Sequence, residues 1–178
     1  MASPVLDETV ALLERTPRAV EALVSGLPDA WLETPDTAGG WTPRDVVGHL
    51  ISAEMANWIP RTELILAEGT ARPFDSFDRF AHVERDAGAA LPALVERFAT
   101  LRRQNLARLR ELVREDADLD RRGLHPDLGE VTLHQLLSAW TVHDLDHVQQ
   151  IQAALAGSRD ADVGPFKRFL GILLRRGG

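Results

Sequence analysis

Val131-Thr132-Leu133-His134-Gln135-Leu136-Leu137-Ser138-Ala139-Trp140-Thr141-Val142-His143-Asp144-Leu145-Asp146-His147-Val148-Gln149-Gln150-Ile151 is the stretch on which the fold turns. It reads as one long helix with a defined start. Thr132 is placed as the N-cap, with Gln135 three residues on to complete a capping box, and Val131 and Leu136 form a hydrophobic staple. At about 100° per residue, Leu136, Trp140, His143, His147, Ile151 and Ala154 share one sector of roughly 80°. Two histidines four residues apart therefore interrupt a face that is otherwise apolar.

Working outward, the same start signals recur at Trp41-Thr42-Pro43-Arg44-Asp45-Val46. Thr42 is the expected N-cap, Pro43 the first helical residue, Asp45 the partner in the capping box, and Trp41 and Val46 the staple. That helix is predicted to run through His49 to Ala67, with a kink or interruption at Pro60. Upstream, Pro4 to Ser25 has helical periodicity broken near Pro17, where Thr16 is read as a cap, and Gly26 and Pro28 end it. Pro28 to Gly40 reads as loop. Downstream, Gly69 to Glu84 reads as a long connection with room for a short turn of helix. Leu91, Leu94, Phe98, Leu101, Leu106, Leu109 and Leu112 give the next helix, Ala89 to Val113, a broad apolar stripe. Asp116 to Glu130 is assigned to loop. Gly157 closes the opening helix near Leu155, and Gly164-Pro165 starts a short last helix. No segment shows period-2 alternation, so the chain is expected to be all-α, a four-helix bundle with a short C-terminal helix.

The composition fits one folded domain over residues 1–178. An apolar fraction of 44% in 178 residues supplies a sizeable core. No uninterrupted apolar run reaches membrane-spanning length, and the start lacks a signal-peptide pattern, so a cytoplasmic location and no membrane partner are expected. The formal net charge of -7 argues against a nucleic-acid partner. The chain has no cysteine, so any metal must be held through nitrogen or oxygen.

His143 and His147 are neighbours on a helix surface, about 6 Å apart along the axis, a spacing that lets two imidazoles share one metal ion. The same spacing also suits a pair of hydrogen-bonded core histidines. A third ligand would favour the metal. His134 lies roughly 13 Å along the helix from His143 and is out of reach. His82 and His125 fall in loops. His49 lies two turns inside its helix on a face shared with Val46, Ala53 and Ala56, whose small alanines leave room for an ion, and geometry favours it. Asp144 and Asp146 flank the histidine stripe. Each is read first as solvent-facing or paired with an arginine of an adjacent helix, and second as support or base for the site. Asp45 is assigned to the cap, and Glu54 to a different face from His49.

Taken together, Trp41-Thr42-Pro43-x-x-Val46-Val47-Gly48-His49-Leu50, His125-Pro126-x-x-Gly129-x-Val131-Thr132-Leu133 and Trp140-x-x-His143-Asp144-x-Asp146-His147-x-x-Gln150-Ile151 resemble the DinB-like (YfiT-like) metal-binding four-helix bundles, in order and over almost the whole chain. The resemblance implies an up-down-down-up bundle, with the Gly69–Glu84 connection as its crossover. It implies one divalent metal ion held by His49, His143 and His147, zinc or nickel first, with iron or manganese as other candidates. It also implies a metal-dependent enzyme, first of all a transferase moving a low-molecular-weight thiol of the bacillithiol or mycothiol type onto small electrophiles. A metal-dependent hydrolase and a non-catalytic metal-binding stress protein are the alternatives. A small-molecule substrate and a homodimer are the expected partners.

His143-Asp144-Leu145-Asp146-His147 also invites comparison with H-E-x-x-H metalloproteases, but Asp144 stands where the glutamate would be, and no third histidine follows. Trp41, Trp58 and Trp140 are read first as core or helix-end packing and second as lining for a pocket. The C-terminal segment, with Phe166, Phe169, Leu170 and Leu173 on one side and Lys167, Arg168, Arg175 and Arg176 as its basic residues, is expected to pack on the bundle or at a dimer interface rather than on a membrane.

Overall fold

The computed structural model describes residues 4–174. Its helical arms follow the cap and stripe signals closely. α1 (Pro4–Leu13) and α2 (Thr16–Val24) form the first arm, and α4 (Pro43–Ala56) and α5 (Trp58–Glu68) the second. α7 (Leu91–Leu112) is the third and α8 (Leu133–Gly157) the fourth. Short helices α3 (Asp29–Leu32), α6 (His82–Arg85) and α9 (Gly171–Leu174) decorate the connections. The arms pack as a four-helix bundle, with α4 against α7 and α8, and α2 against the same two helices. The long link between the second and third arms is the crossover.

Both predicted capping boxes form. Thr42 N donates to Asp45 Oδ2 at 2.9 Å, and Thr132 N donates to Gln135 Oε1 at 2.9 Å. They fix where α4 and α8 begin, and hence where His49, His143 and His147 fall along them. The second arm breaks at Asn57 rather than at Pro60, because Pro60 has no N–H to bond Ala56 and the helix must restart one turn before it. Thr16 does not cap α2: it lies inside the helix and is buried.

Three further expectations need correction. The Asp116–Glu130 segment is not simply loop: β1 (Arg122–His125) pairs antiparallel with β2 (Gly129–Thr132), in register Arg122↔Thr132 to His125↔Gly129. Alternation was hard to read because both strands are only four residues long and one face of the hairpin is exposed. The crossover joins its edge, with Phe74 N donating to Leu124 O at 2.8 Å. Gly123 permits this docking, since a Cβ there would stand 2.6 Å from Ile65 Cγ1 and 2.7 Å from the Phe74 ring. The Pro28–Gly40 loop contains α3. In the C-terminal segment a 3₁₀ turn (Gly164–Phe169) precedes α9, and only Leu173 is buried there, while Phe166 and Phe169 are exposed. Arg175 and Arg176 lie outside the described residues.

The core has two apolar clusters. One gathers Leu13, Trp58, Leu106, Leu109, Leu133, Leu137 and Trp140. The other gathers Val20, Val46, Leu50, Leu94, Phe98 and Ile151. Along α7 and α8 the switch from one to the other falls at Arg102 and at Asp144–His147. A polar layer therefore crosses the middle of the bundle.

Candidate metal centre

His49 on α4 meets His143 and His147 on α8 in that layer. His143 Nε2 lies 3.1 Å from His49 Nε2 and 3.1 Å from His147 Nε2. The three ligand atoms all fall within 4.8 Å of one another. Three nitrogens on a tetrahedral zinc, with Zn–N near 2.05 Å, would be separated by about 3.3 Å. The triangle is thus already close to metal-binding size.

The outer ring nitrogens fix the tautomers. His49 Nδ1 faces the Arg79 carbonyl at 3.3 Å, and a carbonyl only accepts. His147 Nδ1 lies 2.8 Å from Gln150 Oε1, whose own amide Nε2 donates to Asp36 Oδ2 at 3.0 Å. Both Nδ1 atoms therefore carry the hydrogen, and both Nε2 lone pairs point inward. His143 Nε2 can donate to only one of them, so at least one inward lone pair of the triangle is left without a proton. That donor set calls for a cation.

The electrostatics agree. Burial and the neighbouring His147 and His143 rings push His49 down to about 3. Burial and His143 push His147 down to about 4. Both rings are neutral near pH 7, the form that binds metal. Aromatic rings close the sides. Trp41 lies 4.7 Å from the His49 ring and stacks on His147 at 6.0 Å, and Trp58 meets His143 edge-on at 5.1 Å. Trp140 stacks on Trp58 at 5.4 Å and is core, as expected, but Trp41 is a wall of the site rather than helix-end packing alone.

The triangle opens into a cavity of about 520 Å³. Its lining includes Asn57, Arg61, Phe77, Arg79, Asp127 and Asp146. The hairpin turn brings His125 to the rim, where its Nδ1 accepts from Asp127 N at 3.1 Å. His134 is exposed and apart from the site, as its helix position required. His82 is not in a loop but in α6, buried beside Trp41, with its ring 6.2 Å from that of His49. Burial pushes its pKa down.

The flanking acids divide. Asp146 is exposed and lines the cavity. Asp144 is fully buried and pairs with Arg102 of α7. Glu54 joins the same arginine from α4, on a face away from His49 as predicted. Arg102 is marked in the sequence: it occupies the stripe position four residues from both Phe98 and Leu106, a charge where an apolar residue is due. Arg61, Arg79 and the Gln150–Asp36 contact have no such signal, since only the packing of α5, the crossover and the loop before α4 around the triangle brings them together.

A family model described as the DinB superfamily matches residues 12–151. This chain belongs to the DinB superfamily. Among its relatives is YfiT of Bacillus subtilis, 32% identical over 149 residues, covering 82% of this chain and 81% of YfiT. A Bacillus licheniformis relative is 30% identical over 151 residues, covering 83% and 84%. Both carry the provisional name of metal-dependent hydrolase. The solved structure of YfiT, described as "a probable metal-dependent hydrolase with an unusual four-helix bundle topology", superposes with a TM-score of 0.74 at 28% identity, covering 96% of this chain and 90% of YfiT.

Proposed function

We propose that His49, His143 and His147 hold one divalent metal ion, zinc or nickel first, and that the chain is a metal-dependent enzyme acting on a small polar molecule. The observation that carries this reading is the triangle of Nε2 atoms, two of its sides 3.1 Å, at the floor of an open cavity of about 520 Å³. When bound, such an ion acts as a Lewis acid that lowers the pKa of a water or thiol at its open position. The protein's own residues supply the rest. Trp41 and Phe77 wall the site and limit its hydration. Arg61 and Arg79 line the cavity beside Asp127 and Asp146, and their guanidinium groups suit an anionic substrate group. Asp146, exposed at the cavity, is placed to take a proton.

Two nucleophiles suit this arrangement. Transfer of a low-molecular-weight thiol is favoured by the size of the cavity, which exceeds what a water molecule needs, and by its two arginines. Hydrolysis is favoured by the names of the relatives. The deciding experiment loads the purified protein with zinc or nickel and assays small electrophiles with bacillithiol, mycothiol, glutathione or no thiol. Turnover only with a thiol supports transfer, and turnover without one supports hydrolysis. Loss of metal in none of the three histidine-to-alanine variants overturns the site.

A further inference from the structure

The three histidines are supported unequally at their outer nitrogens. His49 leans on a backbone carbonyl and His147 on an amide oxygen, both neutral acceptors. His143 Nδ1 is buried and has no hydrogen-bond partner among the described residues. The group facing it is a carboxylate, Asp144 Oδ1, at 4.0 Å. That is about 1 Å longer than a hydrogen bond.

Asp144 is held with unusual firmness for an acid. Arg102 Nη2 donates to its Oδ1 at 3.0 Å and Arg102 Nη1 to its Oδ2 at 2.5 Å. The guanidinium is itself fixed from behind. Its Nε donates to Glu54 Oε1 at 3.0 Å, its Nη2 to the same oxygen at 2.7 Å, and its Nη1 to Leu13 O at 2.9 Å. Asn105 closes the cluster by donating to Glu54 Oε2 at 2.8 Å. Arg102 is 1% exposed and Asp144 0%. A buried ionic cluster of this kind stabilises a fold little better than apolar residues of the same volume. Its place in the polar layer, one residue from a candidate ligand, calls for another role.

We propose that Asp144 is a positioning residue of the metal centre: it accepts the His143 Nδ1–H when the site is loaded, and Arg102, braced by Glu54, aims its carboxylate. The proposal rests on the metal-binding reading above. A carboxylate behind a ligand imidazole fixes its tautomer and raises its basicity, and loss of such support typically weakens metal binding 10–100-fold. His143 would then be the strongest of the three donors, because the other two lean on neutral groups. Both Asp144 oxygens are occupied by Arg102, so Asp144 acts through His143 and not on substrate.

The test compares Asp144→Asn with Glu54→Gln. Each removes one carboxylate from Arg102, but only Asp144 faces His143. Zinc affinity is measured by chelator competition, and the site is read independently from the visible spectrum of the cobalt-loaded protein. Asp144→Asn is expected to weaken zinc binding about 10–100-fold and to alter the cobalt spectrum. Glu54→Gln, which leaves Asp144 and its pairing with Arg102 in place, is expected to change both measurably less than Asp144→Asn does. Equal effects of the two variants, or no effect of either, overturn the proposal. A wild-type chain that takes up no zinc overturns the metal reading and the proposal with it, and shows itself before any variant is made. Should Asp144→Asn fail to fold, nuclear magnetic resonance of the zinc-loaded wild type decides. A slowly exchanging, strongly downfield His143 Nδ1 proton supports the proposal, and its absence overturns it.

Discussion

Gln150 ties His147 to the loop before α4: its Oε1 accepts from His147 Nδ1 at 2.8 Å, while its Nε2 donates to Asp36 Oδ2 at 3.0 Å. Asp36 in turn accepts from Trp41 N at 2.8 Å, so the same chain of contacts seats the indole that stacks on His147. Gln150→Ala should therefore disturb a ligand and a wall of the site together. Metal affinity is expected to fall about 10–100-fold, as for other partners of metal-bound histidines. The side chain is half-buried and lies away from the main core, so the melting temperature of the metal-free protein should barely move. Titration with a competing chelator checks the first expectation and thermal unfolding the second; unchanged affinity would show that the bridge does not orient His147.

The buried histidines set the acid behaviour of the metal-free protein. His49 is pushed down to about 3 by burial and the His147 and His143 rings, His147 to about 4 by burial and the His143 ring, and His82 is also lowered, chiefly by burial. In the unfolded chain each takes up its proton near pH 6.5. Between about pH 6.5 and the lowered values the unfolded state binds more protons than the folded one, so stability rises with pH across that window. It should be fully present above about pH 6.5 and decline as pH falls from there toward 4. Unfolding of the chelator-treated protein from pH 8 to pH 5 measures this. A flat profile would mean that these rings are not buried uncharged. With metal present the decline should be steeper, since protons also compete for the ligand nitrogens.

How much of this was legible beforehand depends on whether the determining contacts are local. The starts of α4 and α8 were readable because Thr42–Asp45 and Thr132–Gln135 are capping boxes, complete within four residues. Those two starts, with the spacing of His143 and His147, place the candidate ligands. Arg102 was half-legible, as a charge in an apolar stripe whose partners, Glu54 and Asp144, lie 48 and 42 residues away. The Asn57 break was misplaced by three residues because Pro60 acts on the turn before it. Arg61, Arg79 and Asp127 reach the cavity only through tertiary placement, and no spacing rule could have gathered them.

Gly48 marks a close approach. A Cβ there would stand 2.9 Å from His82 Cβ and 3.0 Å from Asp86 Oδ2. The neighbouring backbone is also engaged, as Arg85 Nη2 donates to Gly48 O at 2.8 Å and Arg85 pairs closely with Asp86. Gly48→Ala must push α6 off α4, and overpacking of this kind costs about 1–3 kcal/mol. Because α6 carries His82 against Trp41, the displacement should also loosen the wall of the site. Chemical denaturation checks the stability loss and tryptophan fluorescence the environment of Trp41; a variant as stable as wild type would show that α6 does not pack as described.

The Arg102 cluster makes the sharpest stability prediction. Two buried carboxylates share one guanidinium, whose charge they hold in place against the cost of burial. Arg102→Met keeps the volume but strands Glu54 and Asp144 without a counter-charge. Removing one partner of a buried ionic group typically costs about 3–5 kcal/mol. Replacing all three, as Glu54→Gln, Arg102→Met and Asp144→Asn together, removes the stranded charges and should recover a good part of that loss. The order expected in denaturant unfolding at pH 7 is therefore wild type, then the triple variant, then Arg102→Met. Lowering the pH should relieve the single variant selectively, because protonating its uncompensated carboxylates removes the buried charge. If Arg102→Met is instead as stable as the triple variant at every pH, Glu54 and Asp144 do not depend on the guanidinium, and the polar layer is held by something other than this cluster.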